Sequence, residues 1–311
     1  MSLFLGFDAG GTKTDCTLID GAGRLLAETR GGGANPMRAG FAKACDVLGE
    51  TARKALADAG RDAEHIRAIC AGIAGAGRPR VARRMKSYFT HAFPHADVRV
   101  ITDIELALSA ATESGPAVVI IAGTGSAVGG RNSEGKVARA GGWGPWIGDD
   151  GSAYDIGRRA VKAAMAARDG VGPATLLGEK ILLAEQTHDW EVVRGRIAKR
   201  PDNVFPQIFP LVTAAAVAGD IVSQEILASA GKSLAALAAS VIHMLDLQKQ
   251  SFLIAKTGGV FSEASQLESV LSAELFRVAP KARIEALHVS PARAAAELAR
   301  KSMAASVAHG S

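Results

Sequence analysis

The stretch GFDAGGTKTDCTLID, residues 6–20, decides how the chain is read. A short apolar run reaches Asp8, turns through Gly10-Gly11-Thr12-Lys13, and resumes as a second strand-like segment instead of opening a helix. The two familiar glycine-rich phosphate loops, G-x-G-x-x-G and G-x-x-x-x-G-K-[ST], both lead into helix N-termini, so neither describes this turn. A strand, a Gly/Thr turn and a strand form a hairpin, and a single hairpin of this kind is explained by its turn alone. Its meaning depends on what the rest of the chain supplies.

Working outward, residues 3–8, 14–20 and 25–29 read as three short strands joined by tight turns. After Gly31-Gly32-Gly33, the residues Phe41, Cys45, Leu48, Ala52, Ala55 and Leu56 recur at the spacing of a helix with one buried face, ending near Gly60. Residues 66–73 and 98–101 are further apolar runs of strand length, each followed by a helical pattern. The order then restarts, with strands predicted at 117–122, 126–131 and 136–139, a long helical region, a strand at 252–256 and a helix from Glu263. This predicts an α/β chain of two duplicated lobes, residues 1–110 and 111–290, each a mixed sheet covered by helices. Helical patterns between Asp150 and Gly219 enlarge the second lobe, and residues 220–245 place Leu227, Ala230, Leu234, Leu237, Val241 and Leu245 on one helical face. A last helix, residues 291–305, follows a strand at 283–289 and can pack on either lobe.

Composition narrows the function. The chain has 311 residues, 48% of them hydrophobic and 22% charged, the balance of a soluble globular protein large enough for two lobes. Its formal charge of +5 is scattered. The densest basic cluster, Arg78 to Lys86, reads as a solvated helix face, and no nucleic acid is expected as a partner. Cys16, Cys45 and Cys70 lie far apart without metal-ligand spacing and read as small buried residues. The N-terminus has no basic segment followed by a long apolar one, and no apolar run approaches the roughly 18 residues a membrane span needs. The expectation is a cytoplasmic protein without a membrane partner.

The duplication supplies a partner for the opening hairpin. Gly123-Thr124-Gly125-Ser126 stands in the second half where Gly10-Gly11-Thr12 stands in the first, and Thr257-Gly258-Gly259-Val260 follows the later strand. Glycines let backbone N–H groups approach an anion, and two such hairpins facing across a cleft can hold a triphosphate from both sides. Asp8 then lies near the phosphates, where it can hold Mg²⁺ through water or simply cap its turn.

In this order the three glycine turns resemble the phosphate-1, phosphate-2 and adenosine motifs of the actin/hexokinase/Hsp70 superfamily. The chain is identified as similar, over nearly its whole length, to the BadF/BadG/BcrA/BcrD ATPase-like family and to its N-acetylglucosamine kinase members. The stretch from Gly141 to Tyr154, GGWGPWIGDDGSAY, resembles their sugar-site loop, and Pro206-Gln207-Ile208-Phe209 and Gly219-Asp220 resemble amino-sugar kinases. The resemblance implies two ribonuclease H-like lobes around a nucleotide cleft, with ATP and Mg²⁺ as cofactors. It implies ATP-binding roles for Gly10, Gly11, Thr12, Lys13, Gly123, Thr124, Gly125, Ser126, Gly258 and Gly259. The last two would lie flat against the adenosine, and as plain strand-to-helix turn residues they need no ligand.

Phosphoryl transfer to an alcohol needs positioning, charge stabilisation and a base for the hydroxyl proton. Asp103, ending an apolar strand, is the base the resemblance points to, and a helix N-cap is its plain alternative. The same resemblance implies sugar contacts from Asn35, Thr124, Gly125, Gly141, Gly142, Trp143 and Asp149. Asp150 is expected to cap the helix starting near Gly151, and Trp146 to serve as a core residue if it does not face the sugar. N-acetylglucosamine ranks first as acceptor, before glucosamine and N-acetylmuramic acid, and a homodimer is implied by the resemblance and by oligomer frequencies. An ATP-driven dehydratase activator would need cluster-ligating cysteines, and a repressor-type sugar kinase a zinc-binding cysteine cluster, neither of which this sequence carries. An ATPase module or sugar sensor without kinase activity is the reading from another class. One departure from the family pattern is Pro291-Ala292-Arg293-Ala294-Ala295, which lacks the expected Gly-Ala step.

Overall fold

The computed structural model describes residues 2–261 and 265–309. Its strands are β1 (Leu3–Ala9), β2 (Lys13–Asp20), β3 (Leu25–Gly32), β4 (Ile66–Ile73), β5 (Asp97–Ile101), β6 (Ala117–Ala122), β7 (Ser126–Arg131), β8 (Val137–Gly141), β9 (Leu253–Thr257) and β10 (Arg283–Ala286). The helices are α1 (Pro36–Ala39), α2 (Phe41–Asp58), α3 (Pro79–Ala92), α4 (Asp103–Ala111), α5 (Ala153–Arg168), α6 (Leu177–Ala184), α7 (Trp190–Lys199), α8 (Pro201–Val217), α9 (Ile221–Met244), α10 (Ser265–Val278) and α11 (Pro291–His309). The predicted start of α10 at Glu263 lies outside the described residues.

The duplication is plain in the sheets. One has the order β3-β2-β1-β4-β5 and the other β8-β7-β6-β9-β10, the same order element for element. In each, the first three strands form an antiparallel meander, and the remaining two continue parallel to the first. The chain divides into two compact units, residues 1–113 with 287–311, and residues 114–286.

In the first unit the two faces of β1 follow its period of two. Leu3, Leu5, Phe7 and Ala9 pack with Leu48 and Ala52 of α2 and with Met85 and Phe89 of α3. Phe7 and Phe89 are fully buried with ring centroids 5.3 Å apart, and burying each such ring stabilises by about 1.5–3 kcal/mol. On the opposite face, Phe4 packs with Leu106 of α4 and with Ala295, Ala296 and Ala299 of α11. The last helix therefore belongs to the first unit. Gly6 makes room for it, since a Cβ there would lie 2.1 Å from the backbone N of Ala296 and 2.2 Å from the carbonyl oxygen of Ala292.

The second unit has one large core in which Val118, Ile120 and Ala122 of β6 meet α5, α8 and α9. By length and composition α9 could cross a membrane, although Gln224, Glu225 and Lys232 interrupt its apolar run. Half of its most apolar stretch is buried inside the unit, Ile226, Ala230 and Leu234 among it. Asp220 caps α9, its carboxylate accepting from Ser223 N–H, from the Ser223 hydroxyl and from Thr175 Oγ1. The three cysteines are buried free thiols.

Two substitutions test this packing in opposite directions. Gly6→Ala forces a methyl into backbone and is expected to lower the unfolding free energy by about 3 kcal/mol or more, measured by urea denaturation. Thr14 Oγ1 is buried without a hydrogen-bond partner among the described residues. Thr14→Val, of nearly the same shape, is expected to raise stability by about 1 kcal/mol in the same assay.

Candidate active site

In both units the residues singled out by sequence lie at the carboxyl ends of the parallel strands, where α/β proteins bind ligands. In the first sheet Asp8 of β1 pairs in register with Gly72 of β4, and Gly72 with Ile101 of β5. Asp103 follows two residues after Ile101, so both carboxylates occupy the same end of the sheet. Leu106, one turn into α4, fills the space over Gly72, where a Cβ would come within 2.2 Å of its Cδ2. That contact fixes the first turn of α4.

Asp103 is not the cap of its helix. Thr102 is, with its hydroxyl accepting from Glu105 N–H at 3.1 Å while the Glu105 carboxylate accepts from Thr102 N–H at 2.8 Å, a complete capping box. Asp103 is the first helical residue, and its Oδ1 accepts from Ile104 N–H at 3.0 Å.

Burial raises the Asp8 carboxyl to about 6; Lys13 opposes the shift, and the charges of Asp15 and Asp103 add to it. Lys13 is held 2.9 Å from Asp15. Burial works to raise Asp15 as well, but hydrogen bonds from Arg30 and Lys13 hold it below the usual carboxylate range. A half-buried carboxylate beside two others suits a divalent cation held through water.

The turn that follows Asp8 has three residues, Gly10 to Thr12, and the matching turn after β6 also has three, Gly123 to Gly125. Gly10 N–H and Gly123 N–H close their own hairpins, donating to Lys13 and Gly125 carbonyls at 3.0 and 2.9 Å. Among the described residues the N–H groups of Gly11 and Gly125 have no protein acceptor, and these are the ones open to an anion. The Gly10 carbonyl accepts from Ala34 and Asn35 N–H, both at 3.1 Å, so the loop bearing Asn35 is clasped to the first turn. Asn35 caps α1, its Oδ1 accepting from Met37 N–H at 2.9 Å.

In the second unit, loop residues 142–152 end against the hairpin turn. Ser126 Oγ donates to the Asp150 carbonyl at 2.7 Å, and Ala153 N–H to the Gly123 carbonyl at 2.9 Å. Asp149 is buried, adopts a φ of 61°, and accepts from Gly144 N–H at 3.3 Å. Its carboxylate packs so closely on Gly125 that a Cβ there would lie 2.6 Å from Oδ2. Thr124, Gly125 and Asp149 are thereby brought together. At the loop's start, Arg139 donates to the carbonyls of Gly141 and Gly142 at 3.3 and 2.8 Å. As a lone arginine on a strand, it carried no sequence signal.

Two expectations are corrected. Asp150 is not a helix cap, because Ser152 takes that role by accepting from Asp155 N–H at 3.2 Å; the Asp150 side chain lies 3.8 Å from Arg159. Trp146 is not core but 85% exposed, and Trp143 is 73% exposed.

The glycines also separate by what the fold demands of them. Gly258 has a φ of 114° and a Cβ on it would come 2.2 Å from the Ala122 carbonyl oxygen, so the fold itself requires it. Gly123 and Gly259 have no left-handed φ, and a Cβ on either would meet nothing within 4 Å. The fold's packing therefore does not demand glycine at those two positions.

A sheet order of this kind, repeated within one chain, is the ribonuclease H-like arrangement of actin- and hexokinase-type proteins. Within that class the chain belongs to the BadF/BadG/BcrA/BcrD ATPase family, whose model matches residues 5–299. It is 31% identical to an N-acetylmuramic acid/N-acetylglucosamine kinase of Clostridium acetobutylicum over 305 residues, covering 96% of this chain and 99% of the relative. It is 32% identical to an N-acetyl-D-glucosamine kinase of Dictyostelium discoideum, covering 96% and 98%. A crystal structure from Chromobacterium violaceum, of a protein proposed to be an N-acetylglucosamine kinase, is similar at a TM-score of 0.77 and 25% identity, covering 96% and 99%.

The raised Asp8 carboxyl has a consequence for stability. An acid whose folded pKa is raised contributes stability at low pH that is lost as pH rises through the folded value, here about 6. In chelator, Asp8→Asn is therefore expected to be more stable than the parent at pH 7.5, by on the order of 2 kcal/mol, with the gap closing toward pH 4. Unfolding free energies of both proteins across this range check it, and a gap independent of pH would count against the assignment.

Proposed function

We propose that the protein is an ATP-dependent sugar kinase that phosphorylates the 6-hydroxyl of an amino sugar, N-acetylglucosamine in first place. The observation that carries the reading is the grouping, at one end of one sheet, of a glycine hairpin turn with Asp8 and an Asp103 relieved of helix capping. The similarity to two curated amino-sugar kinases over nearly the full chain supports it.

In this reading Asp103 accepts the proton of the sugar 6-hydroxyl as its oxygen forms a bond to the γ-phosphorus. The bond from that phosphorus to the bridging oxygen of ADP breaks, and ADP leaves with the electron pair. The Gly11 N–H with the Thr12 hydroxyl in the first unit, and the Gly125 N–H with the Thr124 hydroxyl in the second, are each suited to phosphate; Ser126 braces its turn through the Asp150 carbonyl, and Lys13 adds charge from the first turn. Asp8 would hold Mg²⁺, which would supply neutralisation of charge on the phosphate oxygens. Gly123 and Gly259 admit the nucleotide because neither presents a side chain. Asn35, Trp143 and Asp149 hold the acceptor, Trp143 offering an exposed apolar face to the pyranose ring and the buried Asp149 accepting from its hydroxyls.

The test is ADP release with MgATP and a panel of N-acetylglucosamine, glucosamine, N-acetylmuramic acid, glucose and no sugar. The expected result is ADP release that depends on an amino sugar, lowered by about 10²- to 10⁴-fold in Asp103→Asn. Slow release indifferent to every sugar would favour an ATPase module or a sensor. Near-normal turnover in Asp103→Asn would remove that residue from the role of base.

A further inference from the structure

Helix α1 brings an arginine to the first hairpin turn. Arg38 is half-buried, and a Cβ on Gly11 would lie 3.3 Å from its Cδ, 3.4 Å from Nη1 and 3.7 Å from Nε. The guanidinium and the end of its stem thus rest on the side that glycine leaves open at position 11. Main-chain contacts on both sides of Asn35 fix this arrangement. Ahead of it, Gly33 packs on the Gly11 carbonyl, and Ala34 and Asn35 N–H donate to the Gly10 carbonyl, both at 3.1 Å. After it, Arg38 and Ala39 N–H donate to the Asn35 carbonyl at 3.1 and 2.9 Å. Lys13 and Arg30, on β2 and β3, both pair with Asp15.

We propose that Arg38 binds the γ-phosphate of ATP and stabilises its charge as the phosphoryl group moves to the acceptor. The inference rests on the kinase reading above and adds a residue to that site. Gly11 supplies the amide of this turn that is open to an anion, and the Arg38 guanidinium lies beside it. Asn35, three residues earlier on the same segment, is proposed to hold the acceptor. Arg38 therefore stands on the segment that links the phosphate turn to the acceptor residue, and the group exchanged between those two is the γ-phosphoryl. A guanidinium keeps its charge at any working pH and can place two parallel hydrogen bonds on two phosphate oxygens. In the transition state charge spreads over the three equatorial oxygens of the transferring group, so a donor already in place there acts where charge develops. Arg38 gives up no proton in the step, since Asp103 takes the hydroxyl proton and ADP leaves with the electron pair.

The experiment titrates ADP and the non-hydrolysable ATP analogue AMPPNP, each with Mg²⁺, into the parent, Arg38→Met and Arg38→Lys by calorimetry. Methionine keeps an unbranched stem over Gly11 without the charge. In Arg38→Met the AMPPNP affinity is expected to fall by about 10- to 100-fold, with the ADP affinity unchanged as the control for an intact turn. Arg38→Lys should recover part of the loss, and kcat with an amino sugar should fall in Arg38→Met by about 100-fold or more. An AMPPNP affinity that falls no further than the ADP affinity overturns the proposal, because the arginine then only supports the turn. If the parent phosphorylates no sugar, the kinase reading fails by itself, and the difference between the two nucleotides still decides Arg38. A parent that binds neither nucleotide overturns both.

Discussion

Backbone packed directly on backbone is the constraint from which the rest of this structure follows. A Cβ would come 2.1 Å from Ala296 N at Gly6, 1.9 Å from Phe205 O at Gly157, 2.2 Å from Gly11 O at Gly33 and 2.2 Å from Ala122 O at Gly258. The first two seat helices, α11 on β1 and α8 on α5. The other two seat loops on the hairpin turns that the proposed chemistry uses. Helix placement and site placement thus depend on one kind of contact, with none of the slack a flexible side chain would allow. The turn at Gly10 to Thr12 is held from behind by Gly33 and by the amides of Ala34 and Asn35. Its outward amide at Gly11 is left for something other than protein.

On this rigid frame the carboxylates are sorted by their surroundings. Against the pull of burial, Arg30 and Lys13 hold Asp15 below the usual carboxylate range, hydroxyls and amides at the head of α9 do the same for Asp220, and Asp155 pairs with Arg158 and Arg159. Among the described residues no arginine lies against Asp8, and burial beside two other acids raises it. Asp149 sits at a φ of 61°, a conformation that costs an aspartate on the order of 1 kcal/mol. The loop carries that strain because Arg139 braces one end while Ser126 and Gly123 tie down the other. A carboxylate with weak internal compensation and one in a strained backbone are the places where local structural rules are broken, which is where functional groups are to be sought.

The meander, the parallel strands and the duplication were legible because each rests on local signals: apolar runs of strand length, glycine turns and the three-four spacing of α2. Asp103 was legible as a residue but not in its role, since Asp at a helix start reads equally as a cap until Thr102 and Glu105 are seen to form the capping box. The same ambiguity misassigned Asp150, where Ser152 two residues later makes the bond. The seat of α11 could not be read at all. Its partner is Gly6, almost three hundred residues earlier, and no local pattern shows that a strand glycine faces a particular helix. Trp146 looked like core by residue type, yet in a loop with left-handed glycines at 141, 142 and 144 the chain turns it outward.

The proposed division of labour draws on residues of both units. Apart from Lys13 and Arg38, the groups proposed to handle phosphate are backbone amides and glycines, fixed by main-chain contacts that few substitutions leave intact. Groups proposed to choose the acceptor are side chains at the head of α1 and in the loop before α5: Asn35, Trp143 and Asp149. Trp143 is exposed, so it can change without disturbing the sheets or the turns. Discrimination among sugars that differ by one substituent then depends on one or two exposed contacts, each able to shift preference by roughly tenfold or more. An arrangement of this kind keeps phosphoryl transfer constant while the identity of the acceptor varies, because the two sets of contacts share a scaffold but not their atoms.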